Sequence, residues 1–337
     1  MADITDWKAL SKPDPSWKEG VKTYLGGQEP QIGDFKGKPI PELRASMPKP
    51  PALTDERVIQ EDRQIPVRDG STIGVRIYRP RDQPSTGKSP LIVTYHGGGW
   101  SVGDLGHFAS LLLEVTTKFG MVCVDVDYRL APEHKFPTAA HDCIDATIWA
   151  TKNAASLNAD PAQGFLIAGD SAGGNLVGAV AHTWVTDKHQ PKLTGTHYVV
   201  PALCDPSCIP EKYKHEYNAC EQNRDAPILN STAMEIFHEA YVPEAKMRSD
   251  PLFSPLIWPG GHAGQPPASF QVCGQDLLRD DGLIYEKVLR TEYGIPTKMK
   301  VYPGLPHGFW LMMPQIDASK KYVKEFMESI AWLLERK

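Results

Sequence analysis

The sequence predicts an α/β fold: a mainly parallel central sheet with helices on both faces and a helical cap. Two observations lead there. Short β-branched runs alternate with helix-period stretches along most of the chain, and two stretches, 1–50 and 203–262, break the alternation. Parallel neighbours need a crossover long enough to hold a helix, so such alternation favours a parallel sheet covered on both sides.

The strand-forming runs are 72–78, 91–95, 122–126, 165–168, 197–200, 270–273 and 298–302, each closed by glycine or a polar turn. Helical periodicity fills 107–119, 138–155, 172–187, 281–293 and 316–335. The catalytic-type core is therefore expected at 51–202 and 263–337. Residues 203–262, with one clear helix at 232–240, read as an inserted cap, and the proline- and tryptophan-rich 1–50 as its amino-terminal part. Neither stretch would bury a core alone. In an open parallel sheet, ligands sit beyond the carboxyl ends of the strands, and an insertion leaving a strand there can roof them.

Composition narrows the function. With 337 residues, 41% of them hydrophobic, the chain can bury one large core and a smaller attachment. The net charge of −5, with lysine and arginine dispersed, gives no field for nucleic acid. The first thirty residues lack an apolar signal-type stretch, and the longest apolar helical run, 176–185, is short and interrupted by His182. A cytoplasmic protein without a membrane span is expected. Cys123, Cys143 and Cys273 lie among apolar residues and read as reduced core thiols. Cys204, Cys208 and Cys220, near His215, lack the spacing of a ligand knuckle and are interrupted by Pro206 and Pro210, so no metal is expected.

The chemistry starts at Gly169-Asp170-Ser171-Ala172-Gly173. A buried-strand pattern precedes it and a helix follows, the setting in which G-x-S-x-G holds a nucleophile on a sharp turn. Glycine is needed at 169 and 173 because the turn brings neighbouring elements too close for side chains. Ser171 then stands at a helix amino terminus, where the Ala172 amide can stabilise an oxyanion. Upstream, strand 91–95 runs into His96-Gly97-Gly98-Gly99-Trp100. Three glycines in a row cost backbone entropy, and bare amides facing a substrate oxygen explain them, Gly97 and Gly98 being the candidates. His96, at the strand end, reads as a loop-fixing side chain.

After such a serine, the acid and the base follow in chain order. His96, His107, His134 and His141 are excluded by that rule. Among later histidines, His307 lies in the turn-rich Pro303-Gly-Leu-Pro-His-Gly308 after the last strand and is the expected base. Asp276, in the loop after strand 270–273, is the expected acid, fixing the His307 tautomer and stabilising its imidazolium. Asp280 and Asp281 are accounted for by capping of the helix that starts there.

With these residues placed, the chain resembles the hormone-sensitive lipase family of α/β-hydrolase-fold esterases, including arylacetamide-deacetylase-like and fungal acetyl-esterase members. The matching segments are HGGGW (96–100), DYRLAPEHKFPTA (127–139), GDSAGGN (169–175), DPLFSPL (250–256), CGQDLLRDDG (273–282) and YPGLPHGF (302–309). The resemblance implies a Ser171, Asp276 and His307 triad, an oxyanion hole at Gly97, Gly98 and Ala172, and hydrolysis of short-acyl esters without cofactor or metal. Leu277 departs from the family's usual proline. Arg129 and Glu133, within YRLAPE, are read as positioning the next helix.

The expected partner is a small-molecule ester and, at most, a second copy of the chain as a homodimer. Two other readings stay open: a triad-bearing acyltransferase, lyase or dehydratase, and a non-catalytic small-molecule receptor on the same fold. Trp100, Phe237, Tyr241, Phe253, Trp258 and Trp310 are the aromatic candidates for a pocket wall, or plain packing.

Overall fold

The computed structural model describes residues 6–47, 52–82 and 89–336. Among the described residues, eight strands form one sheet: β1 (Val58–Pro66), β2 (Thr72–Pro80), β3 (Leu91–Tyr95), β4 (Val122–Asp127), β5 (Phe165–Asp170), β6 (Gly195–Val199), β7 (Ala268–Gln275) and β8 (Thr297–Pro306). Their order is β1-β2-β4-β3-β5-β6-β7-β8. β1 pairs antiparallel with β2 and β2 with β4, and every pairing from β4 onward is parallel.

The interior strands β3, β4 and β5 are buried along nearly their whole length, which their continuous apolar runs require when both faces are covered. Side chains alternate between two cores: Leu91, Val93 and Tyr95 enter one, Ile92 the other. The helices are α1 (Pro15–Tyr24), α2 (Ile40–Ser46), α3 (Ala109–Phe119), α4 (Thr138–Lys152), α5 (Ala172–Thr186), α6 (Ala219–Gln222), α7 (Ser231–Tyr241), α8 (Arg279–Glu292), α9 (Phe309–Met312) and α10 (Asp317–Leu334). α4, α5 and α8 fill the first core, and α3 and α10 the second.

β1 has no counterpart among the expected strands. Its sequence, VIQEDRQIP, hides the strand under charge, because it is an edge whose outward residues pair with each other and with β2: Arg63 with Glu61, and Arg76 with Asp62. The hairpin turn between β1 and β2 contains Asp69-Gly70, with Gly70 at φ 86°. β8 also exceeds expectation, running on through Pro303 to Pro306. The expected helix 138–155 ends at Lys152, and a short 3-10 turn, Ala154–Leu157, follows.

The segment 203–262 leaves the sheet after β6 and carries α6, α7 and several 3-10 turns. It is hydrogen-bonded to the amino-terminal segment: Ile228 donates to the Pro30 carbonyl at 2.7 Å and accepts from Ile32 at 3.1 Å. Asn230 Nδ2 reaches Gln31 Oε1 at 2.9 Å while its Oδ1 caps α7 by accepting from Ala233. Among the described residues, no helix is long and apolar enough to cross a membrane. Residues 1–5 and 48–50 of the expected amino-terminal cap lie outside the described residues.

Candidate active site

β5 delivers Ser171 at its carboxyl end, and α5 starts at the next residue. Between them Ser171 adopts φ 54° and ψ −118°, a strained conformation that costs on the order of 1–3 kcal/mol and must be held by its surroundings. Its amide donates to Val199 O at 2.8 Å, tying the turn to β6. A Cβ on Gly169 would lie 2.8 Å from Tyr95 O, and one on Gly173 2.8 Å from His96 O. Both glycines are therefore demanded by the close passage of the turn against the end of β3.

The two expected partners reach Ser171 from neighbouring strands. His307 Nε2 is 2.9 Å from Ser171 Oγ, and His307 Nδ1 is 2.8 Å from Asp276 Oδ2. Asp276 follows β7 directly and is fully buried; its Oδ1 accepts the Leu278 amide at 2.9 Å, which fixes the carboxylate plane. His307 follows β8, at a turn where Gly308 takes φ 67°. The carboxyl ends of three parallel strands thus bring together side chains separated by up to 136 residues.

The glycine loop follows β3, with Gly98 at φ 113° and Gly99 at φ 56°. Gly98 O accepts from Ser101 and Val102 at 3.0 Å, closing a tight turn. Among the described residues, the amides of Gly97, Gly98 and Ala172 donate to no protein acceptor. His96 Nδ1 lies 2.8 Å from Gly97 O, its ring stacks on Tyr128 at 4.2 Å, and burial pushes its pKa down to about 4, so it is neutral near pH 7. It has no place in the serine–histidine chain.

Several supporting residues went unread in the sequence. Tyr128 donates to His96 O at 2.7 Å. Arg44, from α2, donates to Ser101 O and Ala131 O and forks onto Glu133, clamping the glycine loop from the amino-terminal side. Asn175 donates to Ala202 O and Phe253 O and accepts from Trp100 Nε1, joining α5, the glycine loop and the insertion. The only local hint was the asparagine ending GDSAGGN. Arg129 behaves as expected, gripping Asp142 of α4 through Nε and a terminal nitrogen.

Asp280 and Asp281 correct an expectation. They stand in the first turn of α8 but cap nothing there, since the N-cap residue Leu278 makes no side-chain cap; Asp280 Oδ1 pairs with the buried Arg279, and both carboxylates accept amides of the insertion. Asp280 Oδ2 accepts the Asn218 and Ala219 amides at 2.7 Å, capping α6 instead. Asp281 accepts the Leu203 and Cys204 amides and the Tyr217 hydroxyl, and burial raises its pKa to about 7 against the pull of those donors.

Beside Ser171 in the chain, Asp170 Oδ2 meets His107 Nε2 at 2.9 Å. Burial opposes the imidazolium, but the Asp170 carboxylate overrides it and holds the His107 pKa above its ordinary value. A raised histidine pKa stabilises the fold fully below about pH 6.5 and loses that contribution as pH rises through the folded value. The stability gap between the native chain and His107→Gln, measured by urea unfolding, should therefore be wider at pH 6 than at pH 9. An equal gap at both would remove the charge from this pairing.

A cavity of about 350 Å³ opens between Trp100, at the end of the glycine loop, the start of α8 and the insertion. Trp100, Ala202, Met234, Phe253, Leu277 and Leu278 form its apolar part. Trp100 follows the glycines, and Leu277 follows Asp276, so the departure from proline places a buried apolar side chain on the wall. Of the six aromatic candidates, Trp100 and Phe253 line the cavity. Tyr241 stacks on Trp100, Trp258 on His182 and Trp310 on Tyr322 as packing, and Phe237 presses against Gly99. Among the described residues, no three His, Cys, Asp or Glu side chains are grouped to hold a metal ion. Cys123, Cys143 and Cys273 are buried free thiols.

A family described by the alpha/beta hydrolase fold matches residues 92–311. AB hydrolase superfamily protein B1A11.02 of Schizosaccharomyces pombe is 38% identical over 333 residues, 98% of this chain and 96% of its own length. Versiconal hemiacetal acetate esterase of Dothistroma septosporum is 37% identical over 81% of this chain and 82% of its own. The crystal structure of vibralactone cyclase is similar throughout, with a TM-score of 0.83 at 34% identity, covering 97% of this chain and 96% of that one. A match that runs from within β3 to within α9, set beside relatives that cover 98% and 81% of the chain, places it in the hormone-sensitive lipase family of α/β-hydrolase-fold esterases.

Proposed function

We propose that the chain is a serine carboxylesterase that hydrolyses short-acyl esters of small molecules through an acyl-enzyme. The observation that carries this reading is the continuous hydrogen-bonded chain Ser171–His307–Asp276, together with three amides that have no protein acceptor among the described residues. Ser171 attacks the ester carbonyl while His307 takes its proton, and Asp276 holds the imidazole in the tautomer that can accept it. The amides of Gly97, Gly98 and Ala172 receive the oxyanion, each such donor being typically worth about 3 kcal/mol. His307 then protonates the leaving alcohol, and water repeats the sequence to release the acid.

Segments 1–50 and 203–262 act as the cap over a core formed by 51–202 and 263–337. The hydrogen bonds of Ile228 to residues 30 and 32 support grouping them. The cavity lined by the 203–262 segment lies at the small end of ligand pockets, which favours compact esters. A series of p-nitrophenyl esters from C2 to C12 should show kcat/KM highest between C2 and C6. A maximum at C10 or C12 would overturn the short-acyl assignment, and no release of p-nitrophenol across the series would overturn the esterase reading.

The likeness to a cyclase along the whole chain favours one further reading, in which a hydroxyl replaces water as the acyl acceptor. Product analysis separates the two, because hydrolysis releases a free acid and transfer does not.

A further inference from the structure

We infer that Cys204 and Cys208 form a dithiol modification site on the wall of the cavity that Trp100 and Leu277 share with the insertion, converted to a disulfide by a two-electron oxidant of the peroxide class. Cys204 precedes, and Cys208 ends, a 3-10 turn, Pro206–Cys208, whose start is capped by Asp205 accepting the Ser207 amide at 2.9 Å. That turn folds the chain back so that the two Sγ atoms lie 3.7 Å apart. A disulfide needs them about 1.7 Å closer. Cys204 is buried and lines the cavity, and Cys208 is half-exposed, giving an oxidant access to one member of the pair.

The surroundings suit attack at Cys208. Its Sγ is within reach of Asp205 O, Arg248 O and Ser254 Oγ as well as of Cys204. The hydrogen bond from the Cys204 thiol lowers the Cys208 pKa below the ordinary thiol value, which favours its thiolate. Cys123, Cys143 and Cys273 are buried, and burial raises their pKa values, so they offer neither access nor thiolate.

The chemistry balances without any group beyond the oxidant. Cys208 thiolate attacks one peroxide oxygen, the O–O bond breaks, and the departing hydroxide takes a proton to leave as water. The resulting sulfenic acid is attacked by the Cys204 sulfur, the S–S bond forms, and a second water departs. The peroxide gains two electrons, and the two thiols lose them. Because Asp281 holds the Leu203 and Cys204 amides and Ser254 Oγ holds the Asp205 amide, closing the pair displaces the wall between them. The cavity at 204–207 then changes shape.

The test uses the full chain exposed to hydrogen peroxide, then alkylated and digested with trypsin. Both cysteines fall in one peptide, 193–212, bounded by Lys192 and Lys212. We expect that peptide to lose about 2 Da and both alkylation sites, with dithiothreitol restoring them. KM for p-nitrophenyl acetate should shift severalfold and reversibly, and Cys208→Ser should remove the response to peroxide. A peptide that keeps both alkylation sites, one that carries only sulfinic acid, or a disulfide that leaves KM unchanged overturns the proposal. The KM measurement rests on the esterase reading, whereas the mass measurement does not. A disulfide in a chain that cleaves no ester would therefore condemn the function and leave the site standing.

Discussion

Ser171→Ala should reduce kcat/KM for p-nitrophenyl acetate by at least about 10⁴-fold while leaving the protein folded. The hydroxyl is the only group removed, and alanine keeps the Cβ that already occupies the strained turn at φ 54°. The strain belongs to the backbone, held by the Val199 hydrogen bond and by the packing of Gly169 and Gly173, so it passes unchanged to the variant. The lost contact, Oγ to His307 Nε2, is half-buried, and its removal should move stability by no more than about 1 kcal/mol. Thermal unfolding beside the kinetics separates loss of the nucleophile from loss of the fold. A fluorophosphonate should label the native chain at Ser171 and fail on the variant. Retention of most of the activity would show that Ser171 is not the nucleophile, and an inert native serine would revive the receptor reading.

Gly173→Ala should be severely destabilising. The added carbon would press on the Tyr95 carbonyl and lie 2.8 Å from His96 O, both backbone atoms at the end of β3 that no rotamer change can move. Relief requires separating α5 from β3, which carries the glycine loop with it. A loss above about 4 kcal/mol is expected, in the range reserved for overpacked cores. At roughly 2–4 °C per kcal/mol, that is a fall in Tm of about 10 °C or failure to accumulate folded protein. Gly120→Ala is the control: it ends α3 at φ 63° with nothing within 4 Å of an added Cβ, so only backbone strain of about 1–2 kcal/mol applies. If Gly173→Ala unfolds no earlier than Gly120→Ala, close packing does not explain the glycine at 173.

The parts legible from the sequence share one property, that their signal is local. β3, β4 and β5 announce themselves as apolar runs because both faces are covered, and the Ser171 turn announces itself because glycine is the only residue that fits. β1 escaped because an edge strand keeps its charges outward, where they look like a loop. The two aspartates at the start of α8 were misread for a related reason. Helix position is local information, but the direction of a carboxylate depends on which amides lie opposite, and those of Leu203, Cys204, Asn218 and Ala219 come from some 60 to 80 residues away.

What the sequence by itself determined is the succession of strands from β2 onward with the main helices between them, the sharp turn at Ser171, and the choice of Asp276 and His307 as candidates from the rule that acid and base follow the serine. Only the tertiary structure decided that the Ser171, His307 and Asp276 atoms meet within 2.9 Å, that Arg44, Tyr128 and Asn175 hold the glycine loop, and that Cys204 and Cys208 face each other beside the cavity. The physical reason is that periodicity and glycine report the backbone's own demands. A contact between side chains far apart in the chain is set by how the strands and the insertion are brought together, and it leaves no periodic trace in either segment.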